Sequence, residues 1–143
     1  MTGVKQTFPV RVYYEDTDHG GVVYHANYLK FLERGRSEFL RTLGFELDVI
    51  DESFGVLFAL TEAQIQFIKP ARFNNMLIVE SSLIALSGAR MTFHQTIEHQ
   101  ETKRLLIKAT VHLASIGRDG KVKRIPSLVA SKLRSHLISE EYV

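Results

Sequence analysis

The hydropathy pattern of the chain changes period, and this change restricts the folds that it can adopt. Between residues 27 and 43, apolar side chains recur every three or four positions, which is typical of an amphipathic helix of about four or five turns. Asn27 is the expected N-cap, and Gly44 is the expected residue just past the C-terminus. Gly35 falls on the apolar face of this helix. A glycine there costs about 1 kcal/mol of helix propensity, and it predicts a close approach between the helix and the surface beneath it.

After residue 55 the apolar side chains alternate with polar ones, a pattern that is typical of β-strands. The alternating runs are long, about ten to thirteen residues, whereas most strands have five or six. Turn residues separate them at 69–75, 87–88, 101–103 and 117–120. A first strand is expected at 7–14, later strands at 62–67, 76–86, 91–98 and 105–113, and a short final helix at 127–137.

One helix can cover several long strands only if the sheet curls around it, and antiparallel strands do twist in this way. We therefore expect a single α+β domain over residues 1–143, in which a curved antiparallel sheet of about five or six strands wraps around one long central helix. The strand at 76–86 also carries Ile78, Ile84 and Leu86, on a face that this helix cannot reach. An uncovered apolar sheet face predicts a symmetric homo-oligomer.

Composition excludes several classes of site and partner. The chain has no cysteine, which rules out a disulfide scaffold, a thiolate metal site and a cysteine nucleophile. Its net charge is +2, and the basic residues are spread too evenly for a nucleic-acid footprint. No stretch approaches the run of about 18 apolar residues that a transmembrane segment needs, and the N-terminal residues contain no apolar signal core. A cytoplasmic location is therefore expected.

The loop between the first strand and the helix gathers candidate reacting groups. Asp18 lies shortly before the helix, where backbone N–H groups carry partial positive charge. Such N–H groups can stabilise an oxyanion, and a carboxylate beside them can activate water or attack a carbonyl itself. Gly20 and Gly21 allow the backbone to approach a substrate closely. His25 can orient the water or donate to the carbonyl, and Tyr14 can hydrogen-bond Asp18.

These residues also have structural interpretations. An aspartate in a glycine-rich turn usually accepts hydrogen bonds from nearby backbone N–H groups, and a histidine before a helix is more often a cap. The acidic and histidine residues of the loop match no standard metal motif. Asp16, Asp18 and Gly20 do not fit a calcium loop, because its twelfth position would be Asn27. A serine triad is not indicated either, because no serine lies in a G-x-S-x-G turn.

Two stretches of the sequence resemble a known family. The first is YYEDTDHGGVVYHANYLKFLERGRSEFLR at 13–41, and the second is FIKPARFNN at 67–75. Both are similar to the YbgC-type acyl-CoA thioesterases, which are members of the 4-hydroxybenzoyl-CoA thioesterase-like hotdog superfamily. The resemblance implies a hotdog fold and hydrolysis of acyl-CoA to free acid and CoA, with no metal and no organic cofactor. His19 and Gly35 depart from the family pattern, in which small residues are usual at the first position and alanine at the second.

The resemblance also assigns site residues and partners. It places the catalytic carboxylate of an Asp-x-Asp-x-x-Gly loop on Asp18, with Tyr14 and His25 in supporting roles. It further implies a dimer or tetramer with active sites at subunit interfaces. Relatives are associated with the Tol-Pal envelope system, and some are linked to acyl carrier protein and phospholipid-synthesis enzymes. Acyl carrier protein is therefore a candidate partner, and peripheral attachment at the inner membrane stays open.

Substrate binding is expected from backbone amides and from basic side chains. The backbone N–H groups of Val22, Val23 and Tyr24 are expected to polarise the thioester carbonyl. The CoA phosphates would be contacted by Lys69, Arg72 and Arg90, which lie at strand ends or turns. These three residues, and a second basic cluster of Lys121, Lys123 and Arg124, can equally be solvated turn charges.

Two other functions remain open at this point. The first is a non-catalytic hotdog module that binds acyl chains or a protein partner of the cell-envelope or phospholipid-synthesis machinery. The second is a hotdog hydratase that acts on acyl thioesters, although the motif context of its Asp and His is not found here.

Overall fold

A computed structural model describes residues 5–139, in which all strands join one five-stranded antiparallel sheet. The strands are β1 (Gln6–Arg11), β2 (Val56–Phe67), β3 (Met76–Ser87), β4 (Arg90–His99) and β5 (Leu105–Gly117). The helices are α1 (Asn27–Thr42), α2 (Leu47–Phe54) and α3 (Ser127–Arg134), and Tyr14–Asp16 forms a 3₁₀ turn. Hydrogen-bonded neighbours follow the order β1-β3-β4-β5-β2, so β1 and β2 are the edge strands. The predicted α+β class, with one antiparallel sheet around a central helix, is confirmed.

The core lies between α1 and the inner face of the sheet. Phe39 of α1 meets Phe93 of β4 edge-on, with ring centroids 5.2 Å apart. Gly35 brings the helix unusually close to β3, because a Cβ atom at this position would lie 2.6 Å from Cγ1 of Val79 and 3.2 Å from Oγ of Ser81. The predicted close approach at Gly35 is therefore confirmed.

The two ends of α1 differ from one another in how well they follow the sequence. At the C-terminus, Gly44 has φ of 93°, and the N–H of Phe45 donates to the carbonyl of Leu40 at 3.0 Å, which is a Schellman motif. The prediction for Gly44 is confirmed. The prediction that Asn27 is the N-cap is wrong, because Ala26 occupies the cap position and Asn27 is the first helical residue.

Several elements depart from the prediction. Helix α3 ends at Arg134 rather than at 137, and β5 continues to Gly117 rather than ending at 113. The first strand ends at Arg11 rather than at 14, because the chain turns into the 3₁₀ segment. Strand β2 begins at Val56, before the clear alternation starts. Helix α2 was not anticipated, since it has eight residues and buries only Ile50.

The outer face of the sheet is polar, which contradicts the expected apolar surface. One row across all five strands reads Thr7, Glu80, Thr96, Lys108 and Gln66. A register shift between Leu83 and Ala85 turns Leu86 inward, where it packs against the core. Ile78 remains on the outer face between Pro9 and Glu98. The outer face therefore gives no reason by itself to expect an oligomer. Separately, no helix within residues 5–139 is long and apolar enough to cross a membrane.

Candidate active site

A tight hairpin turn holds Asp18 just before the central helix. The N–H of Asp18 donates to the carbonyl of Val22 at 2.9 Å, and the N–H of Gly21 donates to the carbonyl of Asp18 at 3.0 Å. Gly21 has φ of 81°, a conformation that glycine adopts without strain. The side-chain Oδ1 of Asp18 accepts the N–H of Gly20 at 2.8 Å. Aspartate at the start of such a turn and glycine at its end are the residues that this geometry favours.

The turn leaves one oxygen of Asp18 available. Asp18 is exposed, and within residues 5–139 its Oδ2 has no hydrogen-bond partner. The structural interpretation of Asp18 is therefore correct for one oxygen, which fixes the orientation of the carboxylate. The second oxygen can still accept a proton or attack a carbonyl.

The carboxylate of Asp16 fixes the hairpin to the helix start. Asp16 is buried, with 6% of its surface exposed. Its Oδ2 accepts the N–H of Tyr13 at 2.8 Å, and its Oδ1 accepts the side-chain amide of Asn27 at 2.9 Å. The N–H of Tyr24 also donates to the Asp16 carbonyl at 2.9 Å. Sequence reasoning missed this role, because hydropathy carries no signal for a polar pair that meets across a hairpin.

The three amides expected to hold the oxyanion are only partly available. The N–H of Val23 donates to the carbonyl of Ala71 at 2.8 Å, and the N–H of Tyr24 is bound to Asp16. Both N–H groups are therefore engaged within the loop, and neither is free to donate to a substrate oxygen in this conformation. The N–H of Val22 has no acceptor in the described part of the chain.

A cleft of about 280 Å³ opens beside the start of α1. His25 and Lys69 both line it, together with Tyr28 and Phe67, whose ring centroids are 5.9 Å apart. The hydroxyl of Tyr28 accepts the N–H of Ala71 at 3.0 Å, which ties the 69–71 segment to the helix. Burial raises the pKa of Tyr28, and this hydrogen bond acts in the opposite direction. His25 is exposed and stacks at a tilt on Tyr24, with 4.4 Å between ring centroids.

Tyr14 is an exposed residue beside Phe73. Its side chain is 80% exposed, and its ring centroid is 5.9 Å from that of Phe73. No hydrogen bond joins Tyr14 to Asp18 among the described residues, so the predicted contact is not formed. Phe73 is an exposed aromatic residue beside Tyr14 that the sequence pattern did not indicate.

The basic residues do not all lie at this end of the molecule. Arg72 is adjacent to the hairpin, because its backbone pairs with that of Val22. Arg90 begins β4, whereas the loop lies near the other end of that strand, where His99 pairs with Leu77. A strand of ten residues spans roughly 30 Å, so Arg90 cannot act with Lys69 and Arg72 within one chain.

The second basic cluster lies at the same distant end as Arg90. Lys123 donates through Nζ to the carbonyl of Phe54 at 3.1 Å, and its own N–H donates to the carbonyl of Ser115 at 3.0 Å. This contact supports the structural interpretation for Lys123.

Comparisons with known proteins agree with this architecture and extend it. A family model described as the thioesterase superfamily matches residues 20–106. The acyl-CoA thioesterase YbgC of Haemophilus influenzae is 42% identical over 119 residues, which cover 83% of this chain and 85% of that protein. A 1,4-dihydroxy-2-naphthoyl-CoA hydrolase of Thermosynechococcus vestitus is 33% identical over 102 residues, or 71% of this chain and 70% of that protein.

A solved structure has the same fold. The crystal structure of a probable thioesterase from Bartonella henselae superposes with a TM-score of 0.82 at 40% identity, covering 86% of this chain and 100% of that one. The resemblance to YbgC-type proteins is confirmed by these relatives. The chain belongs to the thioesterase superfamily.

Proposed function

We propose that the chain hydrolyses acyl-CoA thioesters to a free acid and CoA, with Asp18 as the reacting carboxylate. Relatives named as acyl-CoA thioesterases support the reaction class. The observation that carries the role of Asp18 is its geometry: Oδ1 is held by the N–H of Gly20, while Oδ2 is exposed and free among the described residues. The turn orients this carboxylate but uses only one of its two oxygens, so the other oxygen can react with a substrate or a water.

Two routes are consistent with this geometry. In the first, Asp18 takes a proton from water, the resulting hydroxide attacks the carbonyl carbon, and the C–S bond breaks as the thiolate is released and protonated. In the second, Oδ2 attacks the carbonyl carbon, the thiolate leaves, and water then hydrolyses the mixed anhydride. Both routes consume one water and give the same products.

The oxyanion would be held by backbone amides close to the helix start. The N–H groups of Val22, His25 and Ala26 have no acceptor in residues 5–139, unlike those of Val23 and Tyr24. Donors of this kind are worth roughly 3–4 kcal/mol in other acyl-transfer enzymes. The positive end of the α1 dipole acts in the same direction.

The cleft beside α1 would receive the substrate next to the thioester. His25 and Lys69 lie on its walls, and Phe67 and Ile68 supply exposed apolar surface, at 54% and 41% exposure. Arg72 stands beside the hairpin. We assign Lys69 and Arg72 to binding of the CoA phosphates, since Lys69 lines the cleft and Arg72 lies beside the hairpin that carries Asp18. Tyr14 would contact the substrate or a partner directly with its exposed ring. It would not act by hydrogen-bonding Asp18.

A homo-oligomer would complete the site. Strand β2 is a twelve-residue edge, and an open edge of this length is a template for pairing with another copy. Leu57 and Leu60 on this strand are each 45% exposed. Pairing of two β2 strands would extend the sheet and place each cleft next to the second subunit, and association of two such dimers would give a tetramer.

The cellular setting follows from the same chemistry. Acyl carrier protein presents its acyl group as the same thioester, so it is a candidate second donor. A cytoplasmic location, with or without peripheral contact at the inner membrane, places the protein where acyl-CoA is available.

The test is release of free thiol from a panel of short, long and aromatic acyl-CoAs by the purified protein. Thiol release that falls to background on Asp18→Asn supports the proposal. Tight acyl-CoA binding without thiol release would favour the non-catalytic module. A change in the acyl chain without thiol release would favour a hydratase.

A further inference from the structure

A buried arginine lies on the inner side of the central helix. Arg36 is 8% exposed, and its Nη1 donates to Oε1 of Gln95 at 3.1 Å. The amide nitrogen of Gln95 donates to the carbonyl of Leu32 at 2.9 Å and to Oγ of Ser81 at 2.8 Å. These two bonds fix the Gln95 amide so that its oxygen faces Arg36. The guanidinium is therefore held in one place by the fold.

Arg36 forms no ion pair in the described part of the chain. The ion pairs found among residues 5–139 all involve other side chains. Burial lowers the pKa of Arg36, and the more distant charge of Glu33 raises it. A guanidinium stays protonated and has five N–H donors, of which one is used here. No nitrogen of Arg36 is among the fully buried side-chain atoms that lack a partner in the described residues, so its free N–H donors are open to the crevice that it lines, where an anion can reach them.

Arg36 lines an otherwise largely apolar crevice of about 90 Å³ between α1 and the sheet. The other walls include Ser37 and Leu40 of α1, Phe58 and Leu60 of β2, and Phe93 of β4. Glu33 also lines it, but this side chain is exposed and lies beyond ion-pair distance of Arg36. The crevice is large enough for the end of an acyl chain and too small for a whole substrate.

The crevice and the active-site cleft lie along the same seam between α1 and β2. Tyr28 and Phe67 line the cleft, whereas Arg36 and Leu60 line the crevice. On the helix, Arg36 follows Tyr28 by eight residues, which corresponds to roughly 12 Å. The hydrogen-bonded chain through Gln95 to the carbonyl of Leu32 shows that the guanidinium leans back toward the helix start. An acyl group that leaves the helix start along this seam would point toward Arg36.

We propose that this crevice receives the far end of the acyl group and that Arg36 selects acyl groups ending in a carboxylate, the CoA monothioesters of dicarboxylic acids. The proposal rests on the proposed function, since the same site must hold the thioester. The planar fork of a guanidinium matches a carboxylate better than any neutral group does, and the surrounding apolar walls suit the methylene chain. Arg36 is thus a specificity-determining residue.

The test compares matched pairs of substrates on the wild-type protein. Succinyl-, adipoyl- and suberoyl-CoA are paired with butyryl-, hexanoyl- and octanoyl-CoA, and kcat/KM is measured from thiol release. In at least one pair, the carboxylate-ended substrate is expected to be favoured by about tenfold or more, as for a hydrogen bond between charged groups. Equal values, or a preference for the neutral substrate at every length, would overturn the proposal and leave thioester hydrolysis intact.

Variants then assign the preference to Arg36. Arg36→Gln is expected to remove the preference while hydrolysis of the neutral substrate continues, and Arg36→Lys should retain part of it. Arg34→Gln makes the same charge change at an exposed position of α1 and should keep the wild-type ratio. A preference that survives Arg36→Gln would contradict the assignment. If Arg36→Gln loses all activity, the wild-type ratio and Arg36→Lys still decide the matter. Absence of thiol release from every substrate would refute the proposed function itself.

Discussion

The side-chain amide of Asn27 donates to the buried carboxylate of Asp16 at 2.9 Å, across the hairpin that carries Asp18. The other oxygen of Asp16 accepts the N–H of Tyr13 at 2.8 Å. Asp16 thus joins the start of the loop to the first residue of the central helix. Because Asp18 is two residues further along the same hairpin, its position depends on Asp16, which we regard as a positioning residue.

Removing this tie should cost both stability and activity. Asp16→Asn places an amide where two donors point, and Asn27→Ala removes one donor, so each is expected to lower the free energy of unfolding by about 1–3 kcal/mol. The two substitutions affect the partners of one hydrogen bond. Their effects on the free energy of unfolding should therefore show a coupling of about 1 kcal/mol in a double-mutant cycle measured by urea denaturation. Thiol release should fall in parallel, mainly through kcat. Strictly additive free energies would show that the bond contributes nothing.

The carboxylate of Asp18 is expected to be essential for turnover but not for folding. Asparagine can accept the Gly20 N–H as aspartate does, so Asp18→Asn should preserve the turn and change stability by no more than about 0.5 kcal/mol. Its kcat is expected to fall by at least about a hundredfold.

The chain supplies a matched control at Asp119. This residue also accepts the N–H of the residue two positions on, Lys121, at 3.0 Å, beside a glycine with φ of 81°. Asp119→Asn should keep full activity. Near-normal thiol release by Asp18→Asn, with both variants folded, would refute the catalytic role.

Isotope incorporation distinguishes the two routes open to Asp18. In a single turnover in oxygen-18 water, the nucleophilic route leaves one labelled oxygen in the Asp18 carboxylate when water opens the anhydride at the enzyme carbonyl. The general-base route sends the label only to the released acid. Mass spectrometry of the peptide that contains Asp18 makes this measurement. Label in the peptide requires the anhydride, whereas label in the released acid alone is the result both of activated water and of an anhydride opened at the acyl carbonyl.

Close packing against β3 is predicted to require glycine at position 35, although glycine has a low helix propensity. Gly35→Ala adds a Cβ that would lie 2.6 Å from Cγ1 of Val79, and overpacking of this kind costs about 1–3 kcal/mol. The gain in helix propensity offsets about 1 kcal/mol of it. We expect net destabilisation in urea unfolding, reduced when Val79→Ala makes room. A Gly35→Ala protein more stable than wild type would mean that β3 moves away at little cost.

The edge strand β2 is predicted to mediate self-association. Leu57→Lys places a charge on this edge. It should raise the dissociation constant of the homo-oligomer by at least about tenfold, as measured by sedimentation over a range of protein concentrations. Leu128→Lys is the matched control, since Leu128 is 64% exposed on α3. If the wild-type protein sediments as a monomer, or both variants behave alike, β2 is not the interface.

Features set by neighbouring residues were predictable from the sequence. The period of α1, the alternation of β3 to β5 and the glycine after α1 all follow from preferences that operate within a few positions. Even the contact at Gly35 was predictable, because a glycine on the apolar face of a helix removes the side chain that would keep the neighbouring surface at a distance. The resemblance located Asp18 within the same short stretch, and the turn chemistry around it was the expected structural alternative.

Features set by distant partners were decided only by the tertiary structure. Asn27 binds Asp16 instead of capping the helix, and Arg36 meets Gln95, which lies 59 residues away. A register shift in β3 turned Leu86 inward, away from the outer face. Periodicity reports which face of an element is apolar, because burial acts on each side chain separately. It cannot report which polar groups meet, since a hydrogen bond depends on the relative placement of two elements, and that is fixed only when the whole chain has packed.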